Sequence, residues 1–286
     1  MSDCEPVSAA WRGPAAYLCG CLGLLLSLPA SAQTPSPLPE WIFSSGQQLR
    51  VYYMWDKLPK WEYNVGASVE LQPKFSGSKQ YRIQAGPSFD VRYRDIAFLS
   101  TGEGLGINIW HGKTYRVGTA ITYDLGRAED RSYRLRGLGD VQPGPELKLY
   151  GEFVWFPVTF RADVRRAIGG YNGWVSDLSV YSPIVGSKTF FVLVGPAVSF
   201  ADHNYMINYF GIDAEQSAQS GYPQFSPHAG LKSASFGANV NWFFYKQWYL
   251  NATMAAERLF GDAAESPTTA TRVQGVGSLT IGYDFR

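Results

Sequence analysis

The last twelve residues, GVGSLTIGYDFR (275–286), constrain the fold more than any other stretch. Leu279, Ile281, Tyr283 and Phe285 share one face of an extended chain, and Ser278, Thr280, Gly282 and Asp284 share the other, because successive strand side chains alternate. A strand greasy on one side only lies between an apolar and a polar medium. Its two terminal aromatics suit the closing strand of an outer-membrane barrel, where an aromatic belt meets the interface. The same alternation suits an edge strand of a soluble sandwich, so other segments must decide.

They repeat the pattern. Over 62–71, Tyr63, Val65, Ala67, Val69 and Leu71 oppose Glu62, Asn64, Gly66, Ser68 and Glu70. Over 82–93, Ile83, Ala85, Pro87, Phe89, Val91 and Tyr93 oppose Arg82, Gln84, Gly86, Ser88, Asp90 and Arg92. Two successive strands this charged on one face cannot bury it unpaired in a dry core. Further strands are expected at 95–101, 104–111, 115–125, 146–162, 173–183, 188–202, 204–211, 228–244, 247–260 and 270–285. That makes about twelve, or ten if 95–101 and 104–111 merge into loop.

Connection lengths separate the barrel from the sandwich. With the C-terminus in the periplasm, Tyr245-Lys246-Gln247, Asp202-His203 and His111-Gly112-Lys113 become short periplasmic turns. Residues 212–227, 126–145 and 261–269 become long outer loops. That sorting is the outer-membrane pattern, with one exception, the longish periplasmic connection 163–172. The expected fold is an all-β antiparallel transmembrane barrel.

Residues 1–32 read as a cleaved signal peptide. Arg12 precedes the apolar run Ala15–Leu28, and Ala30-Ser31-Ala32 supplies a cleavage site before Gln33. Cys21 offers a weaker lipoprotein alternative. Cys4, Cys19 and Cys21 all fall in this segment, so the remainder has no thiol for a disulfide, a zinc site or a nucleophile. Residues 33–60 form an N-terminal periplasmic segment, a proline-rich spacer followed by an aromatic piece that reads as plug, extra strand or interfacial stretch. The barrel then occupies 61–286. Removing Arg12, Asp3 and Glu5 moves the formal charge from +1 to +2, far from the basic excess of a nucleic-acid binder.

Five stretches carry a family resemblance: PKFSGSKQYR (73–82), GPSFDVRYRDIAFLSTGEGLGIN (86–108), YDLGRAEDRSYRLRGLGDV (123–141), YFGI (209–212) and AERLFGDAAESP (256–267). Together, and in this order, they resemble the MltA-interacting protein (MipA/OmpV) family. Phe75, where a tyrosine is usual, and the trailing Arg286 depart from its pattern. The resemblance implies an outer-membrane barrel that scaffolds murein remodelling, bridging a lytic transglycosylase and a penicillin-binding protein.

The chemistry-bearing residues do not converge on an active site. His111 and His203 fall in periplasmic turns and His228 near an outer strand end. There is no G-x-S-x-G and no H-E-x-x-H. Asp262 and Glu265 could form an acid and base pair, yet Gly261-Asp262 and Ser266-Pro267 are turn chemistry, so a loop anchor is preferred. Inward charges number four positive (Arg82, Arg92, Arg116, Lys148) and eight negative (Glu62, Glu70, Asp90, Asp124, Glu152, Asp177, Glu257, Asp284). They either line a cation-preferring pore or pair across a narrow, largely plugged lumen. Trp61, Trp110, Trp174, Trp248, Tyr283 and Phe285 suit interfacial girdles.

The expectation is therefore a non-enzymatic scaffold without catalytic, cofactor or metal site. Its partners are outer-membrane lipid and periplasmic murein hydrolases or synthases, touched through the VRRAIGG stretch of 163–172 or through the N-terminal segment. A small-solute channel is the alternative. A lipid-modifying enzyme, which needs a serine near His228, is the third reading.

Overall fold

The computed structural model describes residues 59–187 and 189–285. The expected signal peptide and most of the N-terminal segment fall outside these residues. Within them the alternating segments become twelve strands: β1 (Trp61–Pro73), β2 (Tyr81–Tyr93), β3 (Ala97–Ser100), β4 (Gly104–His111), β5 (Tyr115–Asp124), β6 (Gly144–Trp155), β7 (Val158–Ala167), β8 (Trp174–Gly186), β9 (Phe190–Ala201), β10 (Gly230–Tyr245), β11 (Trp248–Leu259) and β12 (Val273–Phe285). Each pairs antiparallel with its sequence neighbours, and β12 returns to β1 to close the barrel. The closing register runs from Tyr63 opposite Phe285 to Leu71 opposite Gly277.

Closure gives the two faces of the strands different surroundings. Outward residues such as Ile83, Leu105, Leu149, Phe236 and Met254 stay exposed and apolar, as a lipid-facing surface requires. Inward residues such as Asn64, Asp90, Lys148, Thr159 and Asp284 are buried. Trp61, Trp110, Trp248 and Phe285 ring one end of the exterior, with the Tyr283 ring edge-on to Trp248 at 5.3 Å. Trp174 sits at the other end, where β8 begins.

The strand count matches the expectation, but its composition does not. Both doubtful segments, 95–101 and 104–111, hold strands, which removes the ten-strand alternative. The stretch 146–162 is two strands, β6 and β7, that turn at Phe156-Pro157. Segment 204–211 is instead α1 (His203–Phe210), whose buried residues Tyr205, Met206, Tyr209 and Phe210 follow helical spacing. The Asp202 carboxylate accepts from the Tyr205 backbone N–H at 2.8 Å and caps it. One missed turn and one false strand cancelled in the count.

They did not cancel in sidedness. Residues 202–229 form one connection, holding α1 and α2 (Ala214–Ser220), so Asp202-His203 is no periplasmic turn. The connection between β7 and β8 lies at that same long-loop end, opposite the C-terminus. VRRAIGG is thus displaced from the periplasmic face assigned to it, and the exception to the loop-length rule disappears. Residues 74–80, 125–143, 168–173, 202–229 and 260–272 gather at one end, and every connection at the other is a short turn.

Candidate functional site

Twelve strands enclose more space than small aliphatic side chains can fill, and long charged ones fill it here. On β2, Arg92 binds Asp90 with two hydrogen bonds of 2.9 Å and also reaches Glu103 in the β3–β4 turn. Glu103 lies 3.5 Å from Arg161 on β7, which donates to Glu152 on β6 at 2.5 Å. Glu152 in turn neighbours Arg116 on β5, itself paired with Asp95. From Arg161 the web continues through Asp163 to Arg165, which binds Asp177 on β8 at 2.5 Å. Arg92, Arg116, Arg161 and Arg165 are all buried. Taking such charges from water is costly, and the mutual pairing offsets it.

The facing wall mixes a few buried charges, such as Glu257 and Asp284, with neutral polar groups. Asn239 donates to Thr253 at 2.7 Å and Asn251 to Asn241 at 2.7 Å. Ser68 and Thr280 bond at 2.9 Å across the closing seam. Tyr181, Phe191, Leu193, Ala197 and Ala255 form a buried apolar cluster on β8, β9 and β11. Every inward charge read from the sequence lies on an inward strand face, but Arg161, Asp163 and Arg165 were missed. They belong to β7, and reading 146–162 as one strand hid its inward face. The signal available was Phe156-Pro157, since proline lacks the N–H that a continuous central strand needs.

Over the long-loop mouth lies a cap with its own core. Phe75, Leu135, Leu138 and Ile212 come from three different loops, with Tyr222 and Phe225 against them. A second cluster joins Tyr205, Met206, Tyr209 and Phe210 of α1 to Val141, Tyr171, Leu259 and Ala263. Side chains stitch the loops together. Tyr209 donates to Asp124 at 2.6 Å, Arg127 to the Tyr209 carbonyl at 3.0 Å, and Ser266 to the Phe210 carbonyl at 2.7 Å. The Gly77 N–H donates to Gln274 at 2.8 Å, and Gln216 donates to the Leu138 carbonyl at 2.7 Å. Burial holds the Tyr205 and Tyr209 phenols well above their ordinary ionisation range, with the Asp124 charge adding to it, and pulls the Arg127 guanidinium down. Four of the five stretches that carry the resemblance lie wholly or largely in this cap.

The histidines regroup accordingly. His111 ends β4 beside Asp95, 3.6 Å away. His203 and His228 share the long-loop end, where His203 Nδ1 lies 3.0 Å from the Pro227 carbonyl. His228 gives its backbone N–H to Asp262 at 2.6 Å, and its ring nitrogen lies 2.9 Å from the same carboxylate oxygen. That N–H holds the Asp262 carboxyl below its ordinary range. Among the described residues no serine hydroxyl hydrogen-bonds either histidine. Asp262 lies in the first turn of the short helix α3 (Gly261–Glu265), where a turn was expected, and ties it to the β9–β10 connection.

The family model described as MltA-interacting protein MipA matches residues 65–285, from β1 to the last residue of β12. The chain belongs to the MipA family. The proteins named MltA-interacting protein in Escherichia coli (strain K12) and Shigella flexneri are each 23% identical to it over 234 residues, 79% of this chain and 90% of theirs. A bacterial polysaccharide outer membrane secretin superposes with a TM-score of 0.40 at 11% identity, over 81% of this chain and 100% of that one. The N-terminal barrel domain of Pseudomonas aeruginosa OprF gives 0.29 at 10%, over 63% and 99%. Scores this low decide nothing, and the architecture stands on the strand register. This MipA-family chain is an outer-membrane β-barrel.

Proposed function

We propose that this MipA-family barrel is a scaffold of the outer membrane that engages murein-remodelling enzymes, a lytic transglycosylase and a penicillin-binding protein, and carries no catalytic site. The observation supporting a scaffold over a channel is the buried ion-paired web from Asp90 to Asp177, which occupies the lumen where a pore would need water. The relatives' name, which speaks of interaction with MltA, supports the choice of partner. With VRRAIGG at the other end, the partner surface reduces to the short turns and the N-terminal segment. Those turns present exposed cations, Arg94, Lys113 and Lys246, beside Lys60 before β1, a rim suited to acidic surfaces.

The test has two arms. In a planar bilayer the refolded barrel is expected to stay silent, and steady cation-preferring steps would favour the channel instead. Photo-crosslinkers at Lys113 and Lys246 are expected to trap a murein enzyme in intact cells, whereas crosslinks to lipid alone would remove the scaffold reading.

A further inference from the structure

The cap holds a cleft that the scaffold reading does not use. Its volume is about 330 Å³, and it opens between the β1–β2 loop (Ser78, Lys79, Gln80), the β5–β6 loop (Ser132, Tyr133, Arg134) and the β11–β12 loop (Thr269, Ala270). That is at the small end of the roughly 300–1,000 Å³ typical of ligand sites.

Its chemistry is one-sided. Two cations, Lys79 and Arg134, line it with no carboxylate among the lining residues. Among the described residues neither cation has an acidic partner, whereas Arg92, Arg116, Arg161 and Arg165 in the lumen are all ion-paired. Arg134 is nevertheless held in place. Its Nη2 donates to the Pro267 carbonyl at 3.0 Å, its Nε to the Thr268 carbonyl at 3.3 Å, and it lies 5.8 Å from the Tyr222 ring. Two backbone carbonyls fix the fork and leave its other N–H groups and its full charge uncompensated.

Neutral groups complete the lining. Gln80 accepts from Ser132 at 3.3 Å through its side-chain oxygen, which leaves its amide NH₂ to donate outward. Tyr133 is 66% exposed and offers an apolar ring face. A fixed guanidinium, an ammonium, an amide donor and an open aromatic face match a pyranose bearing one anionic group. The anion takes the two cations, a sugar hydroxyl takes the amide, and the sugar's C–H face lies on the ring.

We propose that this cleft binds a phosphorylated or carboxylated sugar at the long-loop mouth of the barrel. The assignment is independent of the scaffold reading, which concerns the opposite end.

The barrel refolded in zwitterionic detergent is titrated calorimetrically with glucosamine 1-phosphate, glucose and inorganic phosphate. Saturable binding of the phosphosugar is expected, stronger than that of glucose or phosphate and weakening as salt rises. R134Q is expected to weaken it roughly tenfold, the loss of one strong charge-assisted contact, and K79Q by a smaller factor. Lys79 and Gln80 are exposed, so K79Q and Q80A carry the test if R134Q does not fold. An acylated form of the same phosphosugar in mixed micelles separates the sources. Tighter binding of that form assigns the ligand to a membrane lipid, and equal binding to a soluble sugar. Absence of saturable binding, equal binding of glucose, or folded K79Q and Q80A barrels that bind like the parent would each overturn the proposal.

Discussion

Arg161 holds its charge where water does not reach, and three carboxylates, Glu103, Glu152 and Asp163, depend on it. Replacing it with methionine keeps much of the volume but leaves those acids only their second cations, Arg92, Arg116 and Arg165, so R161M is expected to cost about 3 kcal/mol, the low end for a broken buried pair. The midpoint of urea unfolding, followed by the electrophoretic shift between folded and unfolded barrel, reads that loss. Adding E152Q should recover part of it, and an R161M barrel as stable as the parent would mean the web is wetter than its burial shows. At the cap, Gly126 adopts φ +63°, and a Cβ there would sit 2.0 Å from the Val141 carbonyl oxygen. G126A combines a left-handed backbone with that clash and is expected to cost roughly 1–3 kcal/mol of cap stability. Chymotrypsin should then cut the 125–143 loop while the barrel keeps its electrophoretic shift.

Among the elements, the cap is separable from the strands that carry it. Leu135 and Phe210 are wholly buried in two different cap clusters. L135A and F210A are each expected to cost the cap about 2–5 kcal/mol, read as faster amide exchange in the long loops with the strand amides unchanged. The tyrosines set its alkaline limit. Tyr205 and Tyr209 ionise far above their ordinary range while folded, and at about pH 10 once unfolded. Their contribution is therefore fully present below about pH 10 and is lost as pH rises past it. Cap exchange should accelerate there and tyrosinate absorbance should rise in step, with Y209F moving the onset upward. The same elements show what was legible in the residues. Period-two alternation placed β1, β2, β5, β10 and β12, because each has one face against lipid and one against a polar interior. It failed at α1, where Tyr205, Ile207 and Tyr209 also alternate, and only the capping Asp202 marks a helix. It failed between β6 and β7, where a tight turn interrupts no hydrophobic pattern. The cap's stitching was illegible, since it joins loops distant in sequence. The cleft was equally hidden, because its three walls come from residues near 80, 134 and 270.

For the whole molecule, the two closures are arranged in series, and they make different predictions. Excising residues 203–220 removes α1 and α2 but leaves the ion-paired web untouched, so that barrel is expected to remain silent in a bilayer. Conductance steps from it would place the seal in the cap instead. The seam itself governs how such an object comes into being. Tyr63 meets Phe285 and Asn64 meets Asp284, so the final strand of the chain completes the wall that its first described strand begins. Until that strand arrives there is an open sheet whose charged face is bathed in water, and no inside for Arg161 or Lys148 to occupy. Drying the interior and joining the ends are thus one event. Ion pairs between neighbouring strands, such as Arg161 with Glu152, keep one side open to water until β12 meets β1.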